Sequence, residues 1–373
     1  MKRVVTMAGV LGLLTAFAAT AAAKDPAKAE KTKRDPAQPY KKAELLIQLP
    51  DHCNTPDGMC VLPCGTILLS VPNINDESDP PLIMKITPDN KLEKFIDPPK
   101  HPDTGKAYPF GICVDPDKGD VYYADLQWFA EKAPNWKARV MRIPMKDGKP
   151  GEPVAVAGGM VVANAVVVRD GYLYVSDTTM VPDTYPLVTG VYRIKLSDGP
   201  VELKKPLDKD PHCIATILTH NKEVGFGADG LCFDKDGNLY IGNFADGTLH
   251  KIEFNENGEP VTPRPAPVWS KAPFMKSCDG LFYDAKKDVI LVADSLANAV
   301  QVVNLKGKVR CLAQEPTFDG AGGKLDQPCE AVVRGSEVIV SNFDMPVPGG
   351  VNTEFETPNC ISVIKLGHKK KPE

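Results

Sequence analysis

One short phrase recurs six times along the 373-residue chain: a turn, a run of about five apolar residues, a tight polar turn, and a second apolar run ending on a small residue. The copies read DGMCV at Asp57, FGICV at Phe110, NAVVV at Asn164, DGLCF at Asp229, DGLFY at Asp279 and EAVVR at Glu330. Their second residues, Gly58, Gly111, Ala165, Gly230, Gly280 and Ala331, are spaced by 53, 54, 65, 50 and 51 residues. A unit of that length with several strands buries its faces only by stacking on its neighbours, and a period near 50 is the mark of a β-propeller. Stacked units also let a chain this long form one domain.

Each copy runs on into an alternating third strand: LIMKI at Leu82, RVMRI at Arg139, VYRIKL at Val191, TLHKIEF at Thr248, AVQVV at Ala299 and ISVIKL at Ile361. Alternation of this kind reads as strand. A fourth strand is predicted in five copies: KLEKFI from Lys91, PVAVA from Pro153, VELKK from Val201, PAPVW from Pro265 and KVRCL from Lys308. The sixth has none, whereas AELLIQL, from Ala43 to Leu49, belongs to no copy. The expectation is an all-β, six-bladed propeller of four-stranded antiparallel blades. The N-terminal strand, about 43–49, completes the last blade and removes the open seam.

The ends read differently. Residues 1–23 have a basic start (Lys2, Arg3), an apolar stretch and small residues before Lys24, the pattern of an export signal. Residues 24–42, rich in Lys, Pro and Ala, read as a disordered linker, and 368–373 as a disordered basic tail, leaving 43–367 as the single domain. The expected location is periplasmic or extracellular. No later segment is long and apolar enough to span a bilayer. With a formal charge of −4 and no Lys/Arg cluster outside the ends, nucleic acid is not the expected partner. Of the ten cysteines, Cys60, Cys113 and Cys232 share one repeat position and read as buried hydrophobes. The other seven lie nearer strand ends and loops, where pairing is permitted but not assignable. The absence of CxxCH excludes covalent c-type haem.

Loop lengths orient the ring. Turns between first and second strands are tight, whereas stretches such as 71–81, 126–138, 178–190 and 343–360 are long. In antiparallel blades the long connections emerge on one face, which is where binding residues concentrate. The first residue of each copy sits where the innermost strand enters from that face, beside the channel: Asp57, Phe110, Asn164, Asp229, Asp279 and Glu330. For any single copy, Asp-Gly before a strand is ordinary turn chemistry. The exchange of Asp, Asn and Glu at one position is not, because Glu is a poor turn residue. Carboxylates converging on a narrow channel repel one another, and a bound cation relieves them. Oxygen donors suit a hard ion such as Ca²⁺. A second set, Asp125, Asp177, Asn243, Asp294 and Asn342, ends the second strands and reads mainly as strand caps. His52 and His220 come closest to the ring among the loop histidines.

The phrases GADGLCFDKDGNLYIGNF from Gly227 and SCDGLFYDAKKDVILVADS from Ser277 resemble the SMP-30/gluconolactonase/LRE-like family of six-bladed propellers. The likeness in blade count and phasing spans Ala43 to Leu366. It implies a channel-bound divalent cation, usually Ca²⁺, held here by Asp57, Asp229 and Asp279 with Asn164 beside them. Asp57 stands where that family usually has Glu, and Asp229 where it has Asn. The implied activity is metal-dependent opening of a lactone or related ester, the cation polarising the carbonyl and Asp279 or Glu330 acting as base. Asn164, Trp128, His52 and His220 are the candidate substrate contacts. The competing expectation is a non-catalytic, NHL-like propeller that uses the long-loop face to bind a ligand or an exported protein.

Overall fold

β-Branched and aromatic residues fill the short alternating runs, and the computed structural model pairs them into six sheets of at least four strands, together with one two-residue hairpin. It describes residues 41–130, 133–315 and 320–367. The predicted signal, nearly all of the linker and the tail lie outside the described residues. From the channel outward, blade 1 is built from Met59–Val61, Ile67–Val71, Leu82–Ile86 and Leu92–Ile96. Blade 4 uses Ala228–Phe233, Leu239–Asn243, Thr248–Ile252 and Val268–Lys271, and blade 5 uses Leu281–Asp284, Val289–Asp294, Ala299–Asn304 and Val309–Gln314.

The ring closes as the sequence predicts. Ala43–Gln48 pairs antiparallel with Cys360–Lys365, outside Glu337–Asn342 and Pro328–Arg334, so blade 6 takes its outer strand from the other end of the domain. The seam is apolar: Leu49, Val332, Ile339 and Ile361 of the closing blade share a buried cluster with Ile67 and Leu69 of blade 1. Every other blade interface has its own cluster, as where Leu68 and Ile83 of blade 1 meet Ile112 and Val121 of blade 2. Each large aliphatic side chain so buried contributes about 1.5–3 kcal/mol.

Blade 3 departs from expectation. Its inner strands are Ala163–Arg169, Tyr172–Val181 and Leu187–Lys195, but its fourth is Cys213–Thr219. The predicted VELKK segment supplies only Val201–Glu202. That pair lies parallel to Val154–Met160, outside the other strands of blade 2 (Pro109–Val114, Val121–Asp125 and Ala138–Ile143). Tertiary burial decides between the two: CIATILT is covered along nearly its whole length, whereas VELKK carries two lysines. The detour accounts for the long 65-residue spacing at this repeat. The stretch 178–190 is likewise a protruding hairpin, not a loop, since its strands stay paired out to Val181 and Val188. No cysteine forms a disulfide: nine of the ten thiols are buried, and Cys64 is exposed on the first tight turn of blade 1.

Near the channel the inner strands come into backbone contact. A methyl group on Gly230 would lie 2.2 Å from the Asp279 carbonyl oxygen, and one on Gly280 would lie 2.5 Å from that of Cys329. Only a residue without Cβ lets the strands approach this closely. Gly230→Ala should therefore destabilise the protein by about 1–3 kcal/mol through overpacking. Urea melts of the two proteins check this, and an unchanged midpoint would remove the contact from any role in stability.

Candidate functional site

The second strands anchor the entries into the channel. Asp125 Oδ1 accepts from the Tyr108 N–H at 2.8 Å, Asp177 from Val161 and Val162, Asp294 from Lys276 and Ser277, and Asn342 Oδ1 from Asp326. Asn243 accepts from the Thr219 hydroxyl and donates to the Leu218 carbonyl. This second set is thus made of strand caps, and each member fixes the chain just before a blade begins or a strand ends.

Just inside the entries, the inner strand carries one extra residue. Ala228 pairs with Asn243 and Leu231 with Ile241; in blade 6 Pro328 pairs with Asn342 and Ala331 with Val340. Counted from those pairs, Cys329 stands where Asp229 stands, and Glu330 takes the place of Gly230. The contact of Gly280 with the Cys329 carbonyl gives the same register, including an N–H···O bond of 2.8 Å. The ring is therefore Asp57, Phe110, Asn164, Asp229, Asp279 and Cys329, and the sequence alignment of blade 6 is one residue out. A bulge hides such an offset, because both registers place an apolar strand after a polar residue. Glu330 still faces the channel: a methyl on Gly280 would meet its Oε1 at 2.6 Å. At the junction of blades 6 and 1, side chains bridge the strands, Ser341 Oγ donating to the Asp57 carbonyl at 2.6 Å and the Cys329 thiol to that of Pro56 at 3.1 Å.

A pocket of about 610 Å³, its open mouth included, sits over the ring. Asp57, Asn164, Asp229 and Asp279 form its floor with Phe110, and Trp128 is in its wall. Glu330 is not in the lining, and neither are His52 and His220. His52 is exposed, and His220 is an exposed side chain held by Asp246. Sequence reasoning missed most of the wall. Phe129, Phe226, Phe244, Phe343 and Met345 come from four different connections, and no repeat signal marks them.

The floor is electrostatically loaded. Burial pushes the Asp57 carboxyl up to about 7, although the Gly58 N–H and the Cys329 thiol partly offset it. Burial, followed by the charges of Asp57 and Glu330, raises Asp229 well above the ordinary carboxylate range, and no hydrogen bond lowers it. Asp279 is raised by burial and then by Asp229 and Asp57. Glu330 is raised to about 8, mainly by burial. Ser295 Oγ lies 2.7 Å from Asp279 Oδ2 and 2.6 Å from the Pro328 carbonyl. One hydroxyl hydrogen serves one acceptor, so a protonated Asp279 completes both bonds by donating to Oγ.

This donor set fits a divalent cation in charge and chemistry, since ionised carboxylates this crowded need a counter-charge. The three aspartates do not bring one oxygen each within 4.8 Å of one another; among the described residues only Asp326, Asp344 and Glu356 form such a group. Joint ligation by the ring therefore requires rotation of its side chains. The second trio lies at the base of the blade 6 loop, where burial and then the Asp326 charge raise Asp344 to about 8. Nothing in the repeat pointed to it.

No family model matches the chain, and no curated protein sequence does. Solved structures do. A gluconolactonase from Xanthomonas campestris superposes with a TM-score of 0.56 at 14% identity, over 88% of this chain and 90% of that one. Regucalcin, a calcium-binding protein from Agrobacterium tumefaciens, gives 0.55 at 12%, over 87% and 93%. The PQQ-bound aldose sugar dehydrogenase from Streptomyces coelicolor gives 0.54 at 17%, over 88% and 99%. Two different enzymes and a calcium-binding protein at nearly equal scores mean that the likeness carries the architecture and leaves the chemistry to the site.

The raised carboxyls generate a pH prediction. The unfolded chain releases these protons near pH 4, whereas the folded ring holds them to 7 or above. The unfolded state thus binds fewer protons across this window, and the ring's contribution to stability falls as pH rises from about 4 to 8. With chelator present, Asp229→Asn should raise the melting temperature relative to wild type by more at pH 8 than at pH 5. Added Ca²⁺ should stabilise wild type more at pH 8. Equal differences at both pH values would contradict a mutually repelling ring.

From this geometry, the chain is a six-bladed propeller of the architecture seen in gluconolactonase and regucalcin structures, with a carboxylate-floored pocket at one end of its channel.

Proposed function

We propose that the protein is a divalent-cation-dependent hydrolase that opens a lactone or a related ester. The observation that carries this reading is the convergence of Asp57, Asp229 and Asp279 with Asn164 on the floor of one pocket. Asp57, Asp229, Asp279 and Asn164 hold the cation, and their oxygen donors suit Ca²⁺. Bound there, a divalent cation supplies Lewis acidity toward a carbonyl oxygen.

The chain's own residues supply the rest. Asp279 takes a proton from the attacking water as the new C–O bond forms. The proton then passes to the ring oxygen as its bond to the acyl carbon breaks, so that water and lactone give one hydroxy acid. Ser295 holds the Asp279 carboxyl in place through Oδ2. Asn164 orients the substrate and Trp128 bounds it, while Glu330, deeper in the channel, is the alternative base. The sequence pattern of residues 1–23 supports action outside the cytoplasm.

A panel of aldonolactones, alkyl lactones and aryl esters, assayed with Ca²⁺ and with chelator, tests the proposal. Asp279→Asn should lower kcat by about 10²–10⁴ while circular dichroism stays unchanged. Absence of any cation-dependent turnover would leave a binding propeller in place of an enzyme.

A further inference from the structure

We infer that the substrate of this pocket has an apolar body, an alkyl- or aryl-substituted lactone in place of a polyhydroxylated sugar lactone. The inference rests on the hydrolase reading for its head group and on the pocket wall for everything beyond it.

Above the acidic floor the wall is almost wholly hydrocarbon. Phe110 is the one ring position with a large apolar side chain, and it begins a continuous aromatic surface. Its ring stacks on Phe129 at 6.4 Å between centroids, with planes 16° apart, and meets Phe343 at 5.9 Å. On the other side Trp128 makes an edge contact with Phe226 at 6.0 Å. Leu126, Val162, Phe244, Met345 and Val347 fill the gaps. Such offset and edge contacts hold the rings in defined orientations, so the wall is a fixed apolar surface.

The polar side chains away from the floor are only two, Thr178 and Gln327, and of their groups the Gln327 amide nitrogen is the one donor left over. Thr178 Oγ1 donates to the Ala228 carbonyl at 2.8 Å, and Gln327 Oε1 accepts from the Met345 N–H. A sugar lactone carries a hydroxyl on nearly every carbon. Seated on this floor, it would press those hydroxyls against aromatic faces that offer no partner, losing its bonds to water. An alkyl or aryl body instead exchanges water for matching surface, at roughly a fourfold gain in affinity per buried methylene. The pocket, open at its mouth, offers such a body the space between these rings.

Unreactive δ-lactams test the wall separately from the chemistry. Butyl-, hexyl- and octyl-substituted δ-lactams and gluconolactam are titrated into the full-length protein with Ca²⁺, following tryptophan fluorescence and heat. Affinity is expected to rise by up to about fifteenfold per added methylene pair that the wall buries, with gluconolactam at least tenfold weaker than the hexyl compound. Phe226→Gln, a half-buried loop position, should flatten the chain-length dependence. Trp128→Gln should do the same by calorimetry if the first variant folds poorly. Equal or tighter binding of gluconolactam, or no dependence on chain length, overturns the inference. Hexylamine binding more tightly than the hexyl lactam also overturns it, because the acidic floor would then select a cationic head. If the lactams bind as expected but the matching lactones are not hydrolysed, the apolar specificity stands and the hydrolase reading falls.

Discussion

Backbone contact between neighbouring inner strands governs this molecule. At Gly230 and Gly280 no side chain separates one blade from the carbonyl of the next, so six sheets converge on a narrow channel and their first side chains share one small space. Interblade hydrophobic clusters stabilise the ring, but the closeness at the axis determines what can sit there. Glycine at the second repeat position and acid at the first are two sides of one constraint: the first brings the strands together, and the second makes that proximity electrostatically costly. The cost is visible in every floor carboxyl and in Glu330 beside them, each raised by burial and most raised further by their neighbours.

Much of this was legible in the sequence because a propeller repeats its physics. The blade count, the four-strand plan and the closure by residues 43–49 all follow from a period and one strand left over. The failures have local causes. A one-residue bulge moved Cys329 into the place assigned to Glu330, because polarity alone does not distinguish CEAVV from EAVVR. CIATILT takes the place expected of VELKK because its neighbours bury it, and burial is not written in a five-residue window.

The site divides along the same line. Its floor was readable because the acids occupy one repeat position, although position alone separates them only weakly from turn residues. The structure makes that separation: Asp234 and Asp284, in tight turns at the far face, accept bonds from the N–H groups two residues on, whereas Asp229 has no such bond. Of the aromatic wall, only Trp128 was readable. Phe129, Phe226, Phe244 and Phe343 come from connections of unlike length and composition, and only the ring geometry brings them over one opening. Periodicity reports what the blades share, and specificity lies in what they do not.

Blade 6 has a topological consequence. Its outer strand, Ala43–Gln48, and its third, Cys360–Lys365, are joined by pairs such as Glu44 and Lys365, 321 residues apart. Those pairs have nearly the greatest sequence separation the domain allows, so loop-closure entropy opposes them most and they form only after nearly the whole chain has been made. Until then the first strand synthesised has no partner and blade 1 has no neighbour on one side. The two ends of the propeller are thus latched at a single seam, and damage to either strand opens the same interface.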